Sequence, residues 1–195
     1  MVSLDKKQVN FIATAVYATL GDLDNLKIAF GKALDEGMTI NEAKEAMLHV
    51  YAYAGFPRSI NATNVLRVLI DDRASAGKKD AVGVASSELS AEIDKNKYGE
   101  EIRTSLTGPR PQPAYAKFSP ALDDFLKEHL FADLFARVTL TQLERELITI
   151  SVLATLQNVP AQLETHTKIA QGIGLTDEQV EAFEQIIFNL LTNGI

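Results

Sequence analysis

Histidine is the residue type in this chain best suited to exchange protons near neutral pH, and there are three: His49, His129 and His166. An unperturbed imidazole has a pKa of ~6.5, so both of its protonation states are accessible near neutrality. The chain has no cysteine, which excludes disulfides, thiolate nucleophiles and thiolate metal ligands. The histidines show neither an HExxH motif nor a His-x-His spacing, so we predict no metal site. These residue types favour acid/base chemistry by imidazole.

A second candidate group is Arg58, which follows an abrupt corner in the segment YAYAGFPRSINA, residues 51–62. Gly55 permits a sharp helix end, and Pro57 can begin the next helix because the first helical turn needs no N–H donor there. Arg58 is then expected near a helix N-terminus, where backbone amides favour an anion and a guanidinium can bind a carboxylate bidentately. The alternative is a solvated arginine at an ordinary corner.

His49 and Tyr53 lie one helical turn apart, just before this corner. Residues at this spacing face the same way on a helix, so both side chains can line the same substrate pocket as Arg58. They can also simply pack in the core. We interpret His129 as a packing residue on another amphipathic helix, residues 119–135, with Ser119 as its cap and Pro120 in its first turn.

The elements that must position these groups are helices. Apolar residues recur at helical spacing, and few stretches alternate as strands do. The clearest stripes are Val9, Ile12, Ala13, Val16 and Leu20, and Leu147, Ile150, Ser151, Ala154 and Leu156. Three helix starts carry a capping box, formed by Thr39 with Glu42, Thr141 with Glu144, and Thr176 with Gln179. We therefore predict an all-α fold.

The sequence also contains an internal repeat. Residues 4–21, LDKKQVNFIATAVYATLG, align with residues 140–157, LTQLERELITISVLATLQ. With one residue inserted, Gly37 and Gly174 then coincide, and each begins a Gly-x-Thr that leads into a capping box. The shared Ala-Thr-Leu and Gly-x-Thr are hard to obtain from apolar periodicity alone. The repeat predicts two three-helix units.

The repeat also sets the expected domain boundaries. We predict a first repeat at residues 1–73 and a second at 119–195, which includes the helix that precedes it. Residues 74–118 are richer in Gly, Lys, Ser and Pro, which is typical of a connector. We expect the repeats to pack as one unit.

Three segments together resemble the carboxymuconolactone decarboxylase family: YAYAGFPRSINA, LERELITISVLATL and QLETHTKIAQGIGLT. The resemblance implies the all-helical fold that this family shares with the alkylhydroperoxidase-D-like proteins, here as two tandem repeats. It also implies a homo-oligomer, because the family assembles as trimers or hexamers. A two-repeat chain would form a trimer that imitates a hexamer of single repeats.

The peroxidase branch of this superfamily carries Glu, then Cys-x-x-Cys, then His three residues further on. In this chain the two cysteine positions are Val159 and Gln162, so thiol peroxidase activity is excluded. The flanking pair is Glu146 and His166. Because the two residues would differ by ~7 Å in height on antiparallel helices, we predict a shared pocket and claim no direct hydrogen bond.

In the first repeat, the counterparts of Glu146 and His166 are Asn10 and Ala29, which cannot exchange a proton at neutral pH. The resemblance therefore implies one site per chain. It would act on a small anionic lactone or keto acid, with His166 as acid/base, Glu146 as its orienter and Arg58 as carboxylate anchor. Such a decarboxylation needs no cofactor, because a conjugated lactone is its own electron sink. The alternative function is a non-catalytic oligomer that binds a small ligand.

Charge and hydropathy exclude other classes of partner. The formal charge is −7, the pI is near 5.0, and Lys and Arg are scattered, so we predict no nucleic acid partner. No apolar run approaches the ~18 residues of a membrane span, and we predict no membrane partner. The first residues lack the apolar stretch of a secretory signal, so we expect a cytoplasmic protein.

Overall fold

A computed structural model of the chain describes residues 4–86 and 89–193. Within these residues every regular element is a helix, which confirms the predicted all-α class. The helices are α1 Lys6–Leu20, α2 Leu23–Asp35, α3 Ile40–Ser75, α4 Lys95–Thr107, α5 Ala114–Phe118, α6 Pro120–Phe125, a π-helical segment Leu126–Phe135, α7 Gln142–Leu156, α8 Pro160–Gly172 and α9 Asp177–Asn193. None of the helices in the described ranges combines the length and the apolar character that crossing a bilayer requires.

The described residues form two compact units. One contains those of 1–85 and 139–195, and the other contains those of 86–138. The first unit holds α1 to α3 and α7 to α9, the two sets of three helices that the sequence repeat predicts. The domain boundaries drawn from the sequence stay a prediction.

In the first unit, the leading helices of the two repeats, α1 and α7, pack against each other. Helices α2 and α3 pack on α1, α8 packs on α7, and α3 also reaches α7 across the repeats. Two apolar clusters fill the spaces, one around Phe11, Phe30 and Met47 and one that includes Leu147 and Phe183. The contact between α3 and α7 is the one that positions the candidate site.

The three predicted capping boxes are present. The Thr39 hydroxyl accepts from the Glu42 amide, while the Glu42 carboxylate accepts from the Thr39 amide at 2.8 Å. The same reciprocal bonds begin α7 and join Thr176 to Gln179 at the start of α9. These bonds satisfy amides that have no partner inside the helix.

Helix α3 breaks at Gly55, as the sequence predicts. Gly55 has φ 80° and ψ 167°, a conformation essentially restricted to glycine. The bend is sharp enough for the Ser59 hydroxyl to donate to the carbonyl of Met47, twelve residues earlier, at 2.7 Å. The rings of Tyr51 and Phe56 stack at 4.1 Å beside the break.

The second unit departs from two sequence interpretations. The expected helix at residues 119–135 is α for six residues and then π-helical, and the Ser119 side chain makes no capping bond. The His129 side chain is 46% exposed and pairs with Asp133 at 3.1 Å, so it is not a core packing residue. Close backbone packing explains why residue 99 in α4 is a glycine, because a Cβ there would lie 1.8 Å from the Lys127 carbonyl oxygen.

Candidate active site

Glu146 and His166 meet directly. Glu146 projects from α7 and His166 from α8, and the His166 Nδ1 lies 2.8 Å from the Glu146 Oε2. The Glu146 side chain is fully buried, whereas 13% of the His166 side chain is exposed. The sequence predicted only a shared pocket for this pair. The packing of α8 on α7 adds the hydrogen bond and leaves the imidazole slightly exposed.

The protonation of this pair follows from its burial. Burial raises the pKa of the Glu146 carboxyl, and the hydrogen bond and charge of His166 oppose that shift without cancelling it. The second carboxyl oxygen, Oε1, is buried and has no hydrogen-bond partner among the described residues. When Glu146 is ionised, it holds the proton of His166 on Nδ1 and leaves Nε2 as the basic nitrogen.

His49 lies beside this pair but cannot share its role. The His49 ring is fully buried on α3, and its Nε2 lies 2.9 Å from the hydroxyl of Thr149 on α7. Burial lowers the pKa of His49 well below its ordinary value, and the charges of Arg145 and His166 lower it further. His49 is therefore neutral near pH 7.

Tyr53 connects the two histidines. Its ring meets the His166 ring edge-on, with centroids 5.7 Å apart and an interplanar angle of 89°, and lies 5.8 Å from the His49 ring. The phenol oxygen is buried and makes no hydrogen bond of ordinary geometry with a described residue. Burial raises the pKa of this hydroxyl and the Glu146 carboxylate raises it further, whereas the nearby Thr149 hydroxyl lowers it.

These residues form a single group, which we call the polar cluster. Its members are His49, Tyr53, Glu146, Thr149 and His166. Four of the five predicted site residues thus lie together in the polar cluster. The fifth member, Thr149, was not predicted from the sequence. Within the described part of the chain, no three histidine or acidic side chains are placed to hold a metal ion.

A buried ion pair that was not predicted from the sequence lies next to the polar cluster. Arg145 on α7 donates to Glu45 on α3 at 2.8 Å, and both side chains are almost completely inaccessible. A signal was present, because Glu45, His49 and Tyr53 recur every four residues and place a polar stripe on one face of α3. The Arg145 and Glu45 charges balance each other in the interior.

Arg58, the fifth predicted residue, lies elsewhere. It is exposed, and its guanidinium packs on Gly21 at the C-terminal end of α1, where an added Cβ would lie 1.6 Å from Nη1. A cation at that end of a helix interacts favourably with the helix dipole. No hydrogen bond or ion pair among the described residues joins Arg58 to the polar cluster. Its role as a carboxylate anchor stays a prediction.

Among the described residues, the positions that the repeat relates to the polar cluster do not form a second cluster of this kind. Asn10, the counterpart of Glu146, donates to Glu36 at 2.8 Å, and Ala29 stands in place of His166. The alignment of Thr39 with Thr176 extends into α9. There the counterparts of Glu45, His49 and Tyr53 are Ala182, Ile186 and Leu190. Apolar side chains therefore occupy the equivalent positions.

Comparison with known proteins identifies the class. Residues 2–68 and 120–188 each match the carboxymuconolactone decarboxylase family, and together they make up more than half of the chain. The chain therefore belongs to this family and carries its domain twice. A stretch of 70 residues, 36% of the chain, is 37% identical to an uncharacterized protein of Methanocaldococcus jannaschii. This stretch spans 65% of that protein's length.

Proposed function

We propose that this protein is a cofactor-independent lyase, or a related proton-transfer enzyme, that acts on a small anionic lactone or keto acid. The observation that carries the proposal is the 2.8 Å hydrogen bond between His166 Nδ1 and the buried Glu146. A buried carboxylate that orients an imidazole leaves Nε2 in position to exchange a proton with a ligand. Family membership supports decarboxylation as the reaction.

The reaction balances with the groups in the polar cluster. The bond between the substrate and its carboxylate carbon breaks, carbon dioxide leaves, and the electron pair moves into the conjugated lactone as an enolate. Protonated His166 then delivers the Nε2 proton to the enolate carbon, and solvent restores the proton. Glu146 stabilises the imidazolium that exists before this transfer. His49 is unsuited to the role because burial keeps it neutral.

The direct test is a screen of lactone acids and keto acids for release of carbon dioxide by the purified protein. We expect His166→Ala to lower kcat by about 10²- to 10⁴-fold with the far-ultraviolet spectrum unchanged, as is typical for loss of a general acid. His129→Ala is the matched control, because it removes an imidazole that is also paired with a carboxylate. A loss of less than about threefold in His166→Ala removes His166 from the mechanism.

A second candidate function is non-catalytic binding of a small ligand. It is favoured by Tyr53 Oη and Glu146 Oε1, two buried oxygens of the polar cluster that make no hydrogen bond of ordinary geometry with a described residue, because such atoms suit ligand binding whether or not a reaction follows. Saturable binding of a lactone acid, with no product formed over hours, would select this function over catalysis. Loss of that binding in Glu146→Ala would locate it in the polar cluster.

We also propose that the protein is a homo-oligomer, a trimer by resemblance to its family. Phe56, Ile60 and Val68 on α3 are 61%, 54% and 41% exposed, and such exposed apolar side chains support contact with another copy. Sedimentation velocity measures the assembly state, and Ile60→Glu is expected to weaken it. A wild-type chain that sediments as a monomer contradicts the proposal.

A further inference from the structure

The polar cluster contains one unused donor and one unused acceptor. The Tyr53 hydroxyl and the Glu146 Oε1 are both buried, and neither makes a hydrogen bond of ordinary geometry with a described residue, although the Thr149 hydroxyl lies near the phenol. Buried polar atoms in native proteins are nearly always paired, so each such exception calls for an explanation. The proposed chemistry uses the other carboxyl oxygen of Glu146 and the imidazole of His166, and it leaves the phenol without a role.

The Tyr53 ring is held in place by aromatic contacts on two sides. The His166 ring meets it edge-on at 5.7 Å, and the His49 ring lies 5.8 Å away. His49 is itself held by the 2.9 Å bond to Thr149. The phenol is thus pre-organised beside the imidazole that is proposed to carry the proton.

The hydroxyl can act only as a hydrogen-bond donor or neutral acceptor. Burial raises the pKa of Tyr53, as does the neighbouring Glu146 carboxylate, so the phenol stays protonated throughout the physiological range. A fixed, desolvated O–H donor stabilises negative charge on a ligand oxygen more strongly than water does, because it needs no reorganisation.

We propose that the Tyr53 hydroxyl donates a hydrogen bond to the oxygen on which negative charge develops, which makes Tyr53 the oxyanion donor of the site. The inference rests on the proposed function and deepens it: the ligand would be the enolate form of a small lactone or keto acid. His166 exchanges the proton at carbon, and Tyr53 stabilises the charge at oxygen. Tyr53 is then a catalytic residue.

The surrounding charges are compatible with an anionic ligand. Glu146 is paired with His166, so the pair is neutral when the imidazole is protonated. Glu45 and Arg145 form a second neutral pair next to it. An anion at Tyr53 therefore meets no net negative charge from these four side chains, and the Arg145 guanidinium lies close enough to lower the pKa of His49.

The test uses tetronate, the anion of tetronic acid. Tetronate is a stable five-membered lactone that is ionised at neutral pH and shares its charge between two oxygens. The uncharged lactone 2(5H)-furanone is the matched ligand. Binding of each is measured by isothermal titration calorimetry to the wild type, to Tyr53→Phe and to Tyr17→Phe. Tyr17 is the matched control because its hydroxyl is also buried in the first unit without a hydrogen-bond partner among the described residues.

We expect Tyr53→Phe to weaken tetronate binding by about 10- to 100-fold, the range for loss of a hydrogen bond to a charged group, with little change for the furanone. Tyr17→Phe should bind both ligands as the wild type does. Equal affinity of Tyr53→Phe and wild type for tetronate, or no binding of tetronate to the wild type, overturns the inference. If tetronate binding depends on Tyr53 but no acid is decarboxylated, the oxyanion donor stands and the proposed lyase reaction fails.

Discussion

His49 Nε2 and Thr149 Oγ1 lie 2.9 Å apart although 100 residues separate them in the sequence. His49 belongs to the third helix of the first repeat and Thr149 to the first helix of the second. Both side chains are fully buried, so this hydrogen bond forms where water cannot replace either partner. The polar cluster therefore depends on how the two repeats pack, since neither repeat alone contains it.

We expect Thr149→Val to lower the free energy of unfolding by about 1–3 kcal/mol, because the isosteric change removes a buried hydrogen bond that solvent does not replace. Thr155→Val is the matched control. The Thr155 hydroxyl donates only to the Ser151 carbonyl of its own helix, and its loss should cost less than about 1 kcal/mol. Urea unfolding followed by circular dichroism measures both values. Equal losses in the two variants would contradict a special role for the bond between repeats.

Glu146→Gln is expected to change how stability depends on pH. The pKa of the buried carboxyl is raised above its ordinary value of 4.5, so the folded state binds this proton more tightly than the unfolded state does. This contribution is fully present below about pH 4.5 and is lost as pH rises through the folded-state pKa. The wild type should therefore lose stability relative to Glu146→Gln over that rise.

The control for this prediction is Glu164→Gln, for which stability is expected to change with pH in the opposite direction. Glu164 is exposed, and its bond to Lys168 lowers its pKa below 4.5. Its contribution to stability is present above the unfolded pKa and is lost as pH falls. The stability of the wild type relative to Glu164→Gln should therefore increase as pH rises. Urea unfolding midpoints at several pH values give the change of stability with pH for both variants relative to the wild type. The same sign for the two variants would show that Glu146 is not the group responsible.

Lys7 is expected to stabilise two helix starts together. Its ammonium lies 2.6 Å from Glu42 and 2.7 Å from Glu144, the capping-box carboxylates of α3 and α7. We expect Lys7→Met to cost about 1 kcal/mol, since the side chain is partly exposed and salt screens it. Lys6→Met, whose ammonium is far more exposed and lies 3.8 Å from Glu36, should cost almost nothing. The free energy of unfolding is measured for both variants with and without 1 M NaCl. If the salt leaves the difference between Lys7→Met and Lys6→Met unchanged, the ion pairs do not cause that difference.

The dependence of stability on pH in the alkaline range provides a second measurement of the contribution of Lys7. Burial, the largest single influence, lowers the pKa of Lys7, but its bonds to Glu144 and Glu42 together raise the pKa above 10.5. The contribution of Lys7 is therefore present below pH 10.5 and is lost as pH rises through the folded-state pKa. The stability difference between wild type and Lys7→Met should shrink across that range.

Gly55→Ala is expected to destabilise the protein by about 1–3 kcal/mol, because Gly55 has a φ of 80°, which residues with a side chain rarely adopt. An added Cβ would meet no atom closer than 3.7 Å, so backbone strain and not collision causes the loss. Gly31→Ala in α2 is the control. Its Cβ would meet nothing within 4 Å, and alanine should stabilise that helix by roughly 0.5–1 kcal/mol. Thermal unfolding of both variants checks the opposite signs, and a Gly55→Ala variant as stable as the wild type would contradict the assigned strain.

The sequence by itself determined the features that depend on residues close together in the chain. The boxes at Thr39 and Thr141, the break at Gly55 and the repeated three-helix pattern are of this kind, because a cap needs a partner only three residues away and a glycine sets its own φ. The resemblance to the family also depended on short segments, and the domain matches confirm it. The π-helical turn at 126–135 was not predicted, since its apolar spacing resembles that of an ordinary helix.

The tertiary structure decided which atoms meet. The bond between His166 and Glu146 and the ion pair between Arg145 and Glu45 join different helices, so they depend on packing angles and rotamers that no local pattern encodes. Arg58 shows the same limit, because its position at a helix start was readable from the sequence but its contact with Gly21 was not. Burial then set the protonation of His49, since the cost of placing charge in the interior exists only once the helices have closed around it.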